Sequence, residues 1–265
     1  MKLTKRLTLL ILVLLIVTNI FGCDFIKVSE DFYETYPVEK GTVLEVDNRN
    51  GSINLSGWDK DYVEVSAVKE SWLGRSDLGN ATINVEVTDK FLIETVHLTT
   101  NIQVSVHYDI KVPDGVVVNA VKSSNGSISL DGTAGNTEAV TSNGNITIKN
   151  VEGIVTARSS NGNINIRGVE GMADIETSNG SIEAELPSLE NDLQIATSNG
   201  SITLNMAADL DTEINAKTSN GRITLHNLEI DIIHMEEKKL EGRTGDGRHR
   251  LTLTTSNGSI KLERL

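Results

Sequence analysis

The side chains of this sequence with chemistry to offer are scattered carboxylates, five histidines and two tryptophans. Asp131, Glu138, Glu152, Asp174, Glu183 and Glu185 are the candidates for a glycan-cleaving site. Such a site needs two carboxyl groups flanking one bond, about 5–9.5 Å apart. These six fall on corners and outer-face positions of a repeat, no acidic pair recurs at a fixed aligned place, and they read as solvated surface. His97 and His107 lie ten residues apart, and His226, His234 and His249 lie in or beside an insertion. None has the tight spacing of a metal site. The residue after each repeated Gly is Ser, Asn or Arg, whereas calcium-binding β-helix repeats place Asp there. The reading is of no catalytic residue, no metal and no cofactor. Trp58, in the corner Gly57-Trp58-Asp59, is expected to pack over an end of the fold, and Trp72 to lie exposed in the loop 69–77.

Cys23 is the only cysteine, so a disulfide within the chain is impossible. Lys2, Lys5 and Arg6 precede an apolar run, Leu9 to Val17, which is short for a membrane span and fits a secretory signal over residues 1–22. The run ends in Ile20-Phe21-Gly22-Cys23, which resembles the bacterial lipobox, in which the Cys is lipidated and becomes the new N-terminus. The expectation is a protein held to the cell membrane, outside the cytoplasm, by lipid on Cys23. Without residues 1–22 the chain keeps 21 basic and 37 acidic residues, a formal charge of −16. That charge, with no basic patch interleaved with aromatics, excludes nucleic acid as a partner.

Any such chemistry would be positioned by a repeat. Asn125, Asn143, Asn161, Asn179, Asn199, Asn220 and Asn257 each stand in a Ser-Asn-Gly corner, at intervals of 18, 18, 18, 20, 21 and 37 residues. Ile follows each Asn by three positions, an apolar or small residue follows by five, and another precedes by four. That alternation makes a half-buried strand on each side of the corner. Gly and Asn tolerate positive φ, which suits a tight corner. The fold class is all-β, a parallel β-solenoid of about 18–21-residue coils; an antiparallel meander or a two-sheet β-sandwich is the alternative, because Asn-Gly is also a hairpin signal. In a solenoid the corners stack about 4.8 Å apart and the Asn side chains form a hydrogen-bonded ladder. Chain order makes Asn257 the last rung, with one neighbour, and the strand after it a cap. Residues 23–37 read as a tether, 38–118 as irregular coils, 119–265 as the repeats, and 227–248 as an insertion in which 230–240 forms a short amphipathic helix or a disordered loop.

The order of NGSINLSGWD, then YDIKVPDGVVV, then serial SNG-x-I copies resembles the bacterial putative-adhesin family over residues 38–265. The resemblance implies a cell-envelope β-solenoid and carries no catalytic residues. The function expected is a non-catalytic, lipid-anchored envelope protein presenting a rigid interaction surface, its partner an envelope protein or a glycan. A sensory domain in envelope-stress signalling is the alternative, and a glycan-active enzyme a third reading.

Overall fold

The structure, a computed structural model, describes residues 27–99 and 103–265. The signal peptide expected over 1–22 and the lipidation expected at Cys23 lie outside the described residues. The N-terminal strands are β1 (Val28–Pro37), β2 (Val43–Asn50), β3 (Ile53–Trp58), β4 (Tyr62–Ser71), β5 (Ala81–Val87), β6 (Phe91–His97) and β7 (Ser105–Pro113). The repeats supply β8 (Val117–Asn125), β9 (Ile128–Asp131), β10 (Thr137–Asn143), β11 (Ile146–Lys149), β12 (Ile154–Asn161), β13 (Ile164–Arg167), β14 (Gly171–Asn179), β15 (Ile182–Leu186), β16 (Leu193–Asn199), β17 (Ile202–Met206), β18 (Thr212–Asn220) and β19 (Ile223–His226). The chain closes with β20 (Asp231–Glu236), β21 (Lys239–Thr244), β22 (His249–Asn257) and β23 (Ile260–Arg264).

Each repeat is one strand, an Asn-Gly corner, a strand in the facing sheet, and a looser corner back. Copies pair in parallel and in register, Asn125 against Asn143, Asn143 against Asn161, Asn161 against Asn179. Parallel pairing between copies excludes the meander. The result is a solenoid of two facing sheets, of 11 and 12 strands. The longer strands, β8 to β22 by even numbers apart from the hairpin strand β20, lie in the 12-stranded sheet, and their shorter partners lie opposite. The core is the space between. Ile128, Ile146, Ile164, Ile182, Ile202, Ile223 and Ile260 fill it from one side, and Val121, Ala139, Ala157, Ile175, Ile195, Ala216 and Leu253 from the other, all buried. Each buried Ile or Leu contributes about 1.5–3 kcal/mol relative to exposure.

Coils do not stack in chain order. β22 pairs with β16 on one side and β18 on the other, and β23 likewise separates β17 from β19. The C-terminal coil is thus interior, and the expectation that it caps the fold is wrong. Identical corners make the exchange possible: any Ser-Asn-Gly coil fits beside any other. The N-terminal half does the same. β2–β3 lies between β8–β9 and the later β6–β7.

Antiparallel strands close both sheets at one end and the 12-stranded sheet at the other, where β19, paired in parallel with β23, is the outer strand of the 11-stranded sheet. β5 flanks β6, β4 and β1 flank β7, and the hairpin β20–β21 flanks β18. Two readings of the sequence are corrected here. The tether expected over 23–37 is, from Val28, an edge strand paired along its whole length with β4. The insertion is a β-hairpin, neither helix nor loop. Its β21 buries Leu240 against β18, so period two, not 3.6, satisfies the segment.

Candidate interaction surfaces

The seven repeat asparagines stand in one file along the corner edge. Asn143 Nδ2 donates to Asn125 Oδ1 at 2.8 Å, Asn161 to Asn143 and Asn179 to Asn161 at 2.9 Å, and Asn199 to Asn179 at 2.8 Å. Asn257 donates to Asn199 at 2.8 Å and Asn220 to Asn257 at 2.9 Å. Donation runs one way, so every interior amide both donates and accepts, an arrangement in which bonds polarise one another. A second file lies beside it: Thr141, Ser159, Thr177 and Thr197 donate their hydroxyls to the carbonyls of Gly126, Gly144, Gly162 and Gly180, at 2.8–3.0 Å. In a third, Ser127, Asn145, Asn163 and Ser181 accept the backbone amide of the next copy. The corner spends its polar groups on itself.

The repeat glycines are required for a reason other than positive φ. None of Gly126, Gly144, Gly162, Gly180, Gly200, Gly221 and Gly258 adopts it. A Cβ on Gly180 would stand 2.0 Å from the Gly162 carbonyl oxygen, and each of the others meets the neighbouring copy's glycine within 2.2 Å. Side-chain-free backbone lets the corners approach. Positive φ belongs instead to the looser corners, at Gly132, Gly135, Asn150, Gly153 and Gly168.

On the outer face of the 12-stranded sheet, charges gather around Arg158. It reaches Glu138 at 3.3 Å, Asp174 at 3.1 Å and Glu176 at 3.9 Å, and Lys122 meets Glu138 at 3.0 Å. Beside this network lies a trough of about 410 Å³ lined by Glu45, Asn119, Lys122, Asn136 and Glu138. Hydrogen bonds from Lys90 and then Asn119 hold Glu45 below the usual carboxylate range. Of the acids singled out in the sequence, Glu138 and Asp174 are brought together here by Arg158. Asp131 accepts from Asn150, and Glu183 pairs with Arg167 on the other sheet. Glu152 is exposed at a looser corner and Glu185 is half-buried in β15.

His107 belongs to an arrangement the sequence reading missed. Its Nδ1 lies 3.0 Å from Ser52 Oγ and its Nε2 3.4 Å from Glu70 Oε2. Nucleophile, base and carboxylate stand in line. The base is already engaged, because Nδ1 accepts the Ser52 backbone N–H at 3.2 Å. Glu70 is shared with Lys27 at 2.6 Å, which offsets its charge. His97 is pushed down from the usual imidazole range by burial and then by Arg49, and its Nε2 is buried without a hydrogen-bond partner. His226 is exposed on β19, His234 meets Glu236 at 3.2 Å, and His249 is half-buried on β22. Among the described residues no three His, Cys, Asp or Glu side chains converge as a metal site. Trp58 does not cover an end: it stands edge-on to Tyr62, donates Nε1 to the Tyr62 carbonyl at 3.0 Å, and lies under Lys111.

Exposed apolar side chains concentrate at the two ends. At the hairpin end Ile232, Ile233 and Met235 are 52%, 68% and 45% exposed on β20, the outermost strand of its sheet. Ile233 is the extra residue of a β-bulge. A bulge blunts edge-to-edge pairing, so side chains rather than backbone are what this edge offers. Exposed Glu229, Asp231, Glu236 and Glu237 flank it together with exposed Lys238 and Arg243, Arg243 pairing with Asp231 at 3.7 Å.

A two-sheet parallel solenoid, flanked by antiparallel strands and laced by side-chain ladders, defines a repeat scaffold. The chain belongs to the Toastrack DUF4097 family, whose family model matches residues 39–263. No curated protein matches it. Three of the solved structures similar to it are described as adhesion proteins. One, described as a putative cell adhesion protein from Clostridium sporogenes, is 13% identical, with 89% of this chain and 100% of that chain covered and a TM-score of 0.37. A second, described as a putative adhesin from Bacteroides fragilis, is 13% identical over 88% and 97%, with a TM-score of 0.46. A third, similarly described, from Parabacteroides distasonis, is 15% identical over 89% and 97%, with a TM-score of 0.28. Likeness at this level says nothing of what this chain binds.

Proposed function

We propose that this chain is a non-catalytic envelope protein, anchored outside the cytoplasm by lipid on Cys23, whose solenoid holds an interaction surface away from the membrane. The observation that carries the reading is the position of Ile232, Ile233 and Met235. They are exposed on the outermost strand of a 12-stranded sheet, at the end opposite β5. Eleven inter-strand steps of about 4.8 Å put them about 50 Å from β5 at the other end of the sheet. A rigid ladder is what such a spacer needs, since each coil is held by both neighbours.

The chemistry of the edge selects the partner. An apolar centre with a rim of mixed charge fits a polypeptide of the envelope with an apolar patch and a polar rim. A glycan would call for exposed aromatic platforms, and β20 has none. The test is a photo-crosslinking residue at position 233 in the native envelope, with one at Ser142 as control. Position 233 should capture one defined protein, and Ile232→Lys should abolish the capture. Equal capture from both positions, or none from 233, would remove the surface from consideration. The anchor has its own test: Cys23→Ala should abolish incorporation of labelled fatty acid.

A further inference from the structure

The end where β1 starts carries a second apolar cluster. β1 begins with Val28 paired to Ser71. Trp72 and Leu73 follow at once, 58% and 60% exposed. Leu98, 67% exposed, joins the same edge. Its amide donates to the Asn80 carbonyl at 2.8 Å, Asn80 donates to Asp77 at 2.7 Å, and Asp77 accepts the Ser71 hydroxyl at 2.6 Å. Basic groups frame the cluster. Lys27 stands 5.9 Å from the Trp72 ring centroid, and Arg75 is exposed with no ion pair among the described residues. The acids nearby are occupied, Glu70 by Lys27 and His107, Asp77 by Ser71 and Asn80.

We propose that this edge docks in the headgroup layer of the bilayer, with Trp72, Leu73 and Leu98 inserted among the lipids. The inference rests on the lipid anchor proposed above. Cys23 precedes Val28 by five residues, a reach of at most about 18 Å when fully extended. The lipid-bearing residue therefore holds this edge, and no other part of the solenoid, against the membrane. Trp partitions to the interface, Leu below it, and Lys and Arg meet the phosphates from its rim. Three side chains bind a vesicle weakly alone. Tethered, they meet it at millimolar effective concentration, about what weak insertion needs. A second copy is the poorer occupant, because the chain without residues 1–22 carries −16 and would meet its own charge. Insertion by apolar side chains also explains how so acidic a protein rests on a membrane.

The experiment uses the full lipoprotein reconstituted in phosphatidylcholine vesicles containing acyl-chain-brominated lipid, which quenches only tryptophan that enters the bilayer. The contribution of Trp72 is the difference between wild type and Trp72→Phe. The expected result is bromolipid quenching that is lost in Trp72→Phe and reduced in a Leu73→Ser, Leu98→Ser double variant with unchanged circular dichroism. Acylated, vesicle-bound protein whose Trp72 ignores bromolipid and stays open to aqueous iodide would overturn docking and leave the anchor standing. Shielding from iodide without bromolipid quenching, growing with protein density, would assign the edge to a second copy. Mass spectrometry showing Cys23 without acyl chains would remove the anchor and the docking together.

Discussion

Asn257 donates its side-chain amide to Asn199 at 2.8 Å, although Asn220 lies between them in the chain. Asn220 is the terminal rung and donates in turn to Asn257. Asn257→Ala therefore breaks two ladder bonds and Asn220→Ala one. The first should cost more by about one hydrogen bond, roughly 0.5–1.5 kcal/mol, read as the difference in urea midpoint with unchanged slope. Equal midpoints would show that the ladder adds nothing. The comparison requires a cooperative transition, which long repeat arrays can lack.

Gly180→Ala should be among the most damaging single substitutions in the protein. Its Cβ would stand 2.0 Å from the Gly162 carbonyl oxygen, and the atoms it meets are all backbone, so nothing flexible can move aside. We expect a loss of about 2 kcal/mol or more. Gly79→Ala is the control: nothing lies within 4 Å of its Cβ and its φ is not in the left-handed region. It should be neutral or slightly stabilising, because Ala restricts the unfolded chain. Thermal melting of the two variants checks this.

Tyr108 gives the fold an alkaline limit. Its ring is buried, its hydroxyl lies 2.7 Å from Thr95 Oγ1, and burial pushes its pKa up to about 12. In the unfolded chain the value is about 10. The native state keeps the proton longer, so this contribution is complete below about pH 10 and is lost as pH rises towards 12. The whole effect is about 3 kcal/mol at most. Tyr108→Phe should flatten the fall of stability between pH 10 and 12, while costing about 1 kcal/mol at neutral pH where Thr95 loses its partner. An unchanged alkaline slope would refute the assignment.

Ser52 should not behave as a nucleophile despite its contact with His107. The imidazole lone pair that would take the hydroxyl proton already holds the Ser52 backbone amide. A fluorophosphonate probe should leave Ser52 unlabelled at neutral pH, as it leaves a His107→Ala variant. Labelling of the wild type that is lost in His107→Ala would establish an active serine.

The solenoid was legible in the sequence because its signals repeat. Asn161 and Ile164 recur as Asn179 and Ile182, eighteen residues on, and parallel in-register pairing follows from that spacing. Stacking order was not legible. The rung at 255–260 has the same residues as the rung at 177–182, so nothing local says which neighbour it chooses. The hairpin was obscured for the opposite reason. Its turn at Glu237 and Lys238 lacks Asn, Gly and Pro, and the bulge at Ile233 breaks the alternation that marks a strand. Of the candidate surfaces, Trp72 was read as exposed from its loop. The contact of Ser52 with His107 depends on β3 lying beside β7, a pairing across fifty residues that neither segment announces.

The interior place of β22–β23 makes residues 249–265 the keystone of the arch. Without them β16 and β17 have no neighbour on that side, while β18–β19 offers the same Thr-Ser-Asn-Gly rung. Premature docking of β18 on β16 would satisfy the corner ladder and close the gap. The last coil can enter only when that contact reopens. The native order of coils therefore cannot form before residues 249–265 are available, and pairing this non-local is intrinsically slow. A variant cut before residue 249 could close only through the alternative contact of β18 on β16, so its last coils would sit on the wrong neighbour.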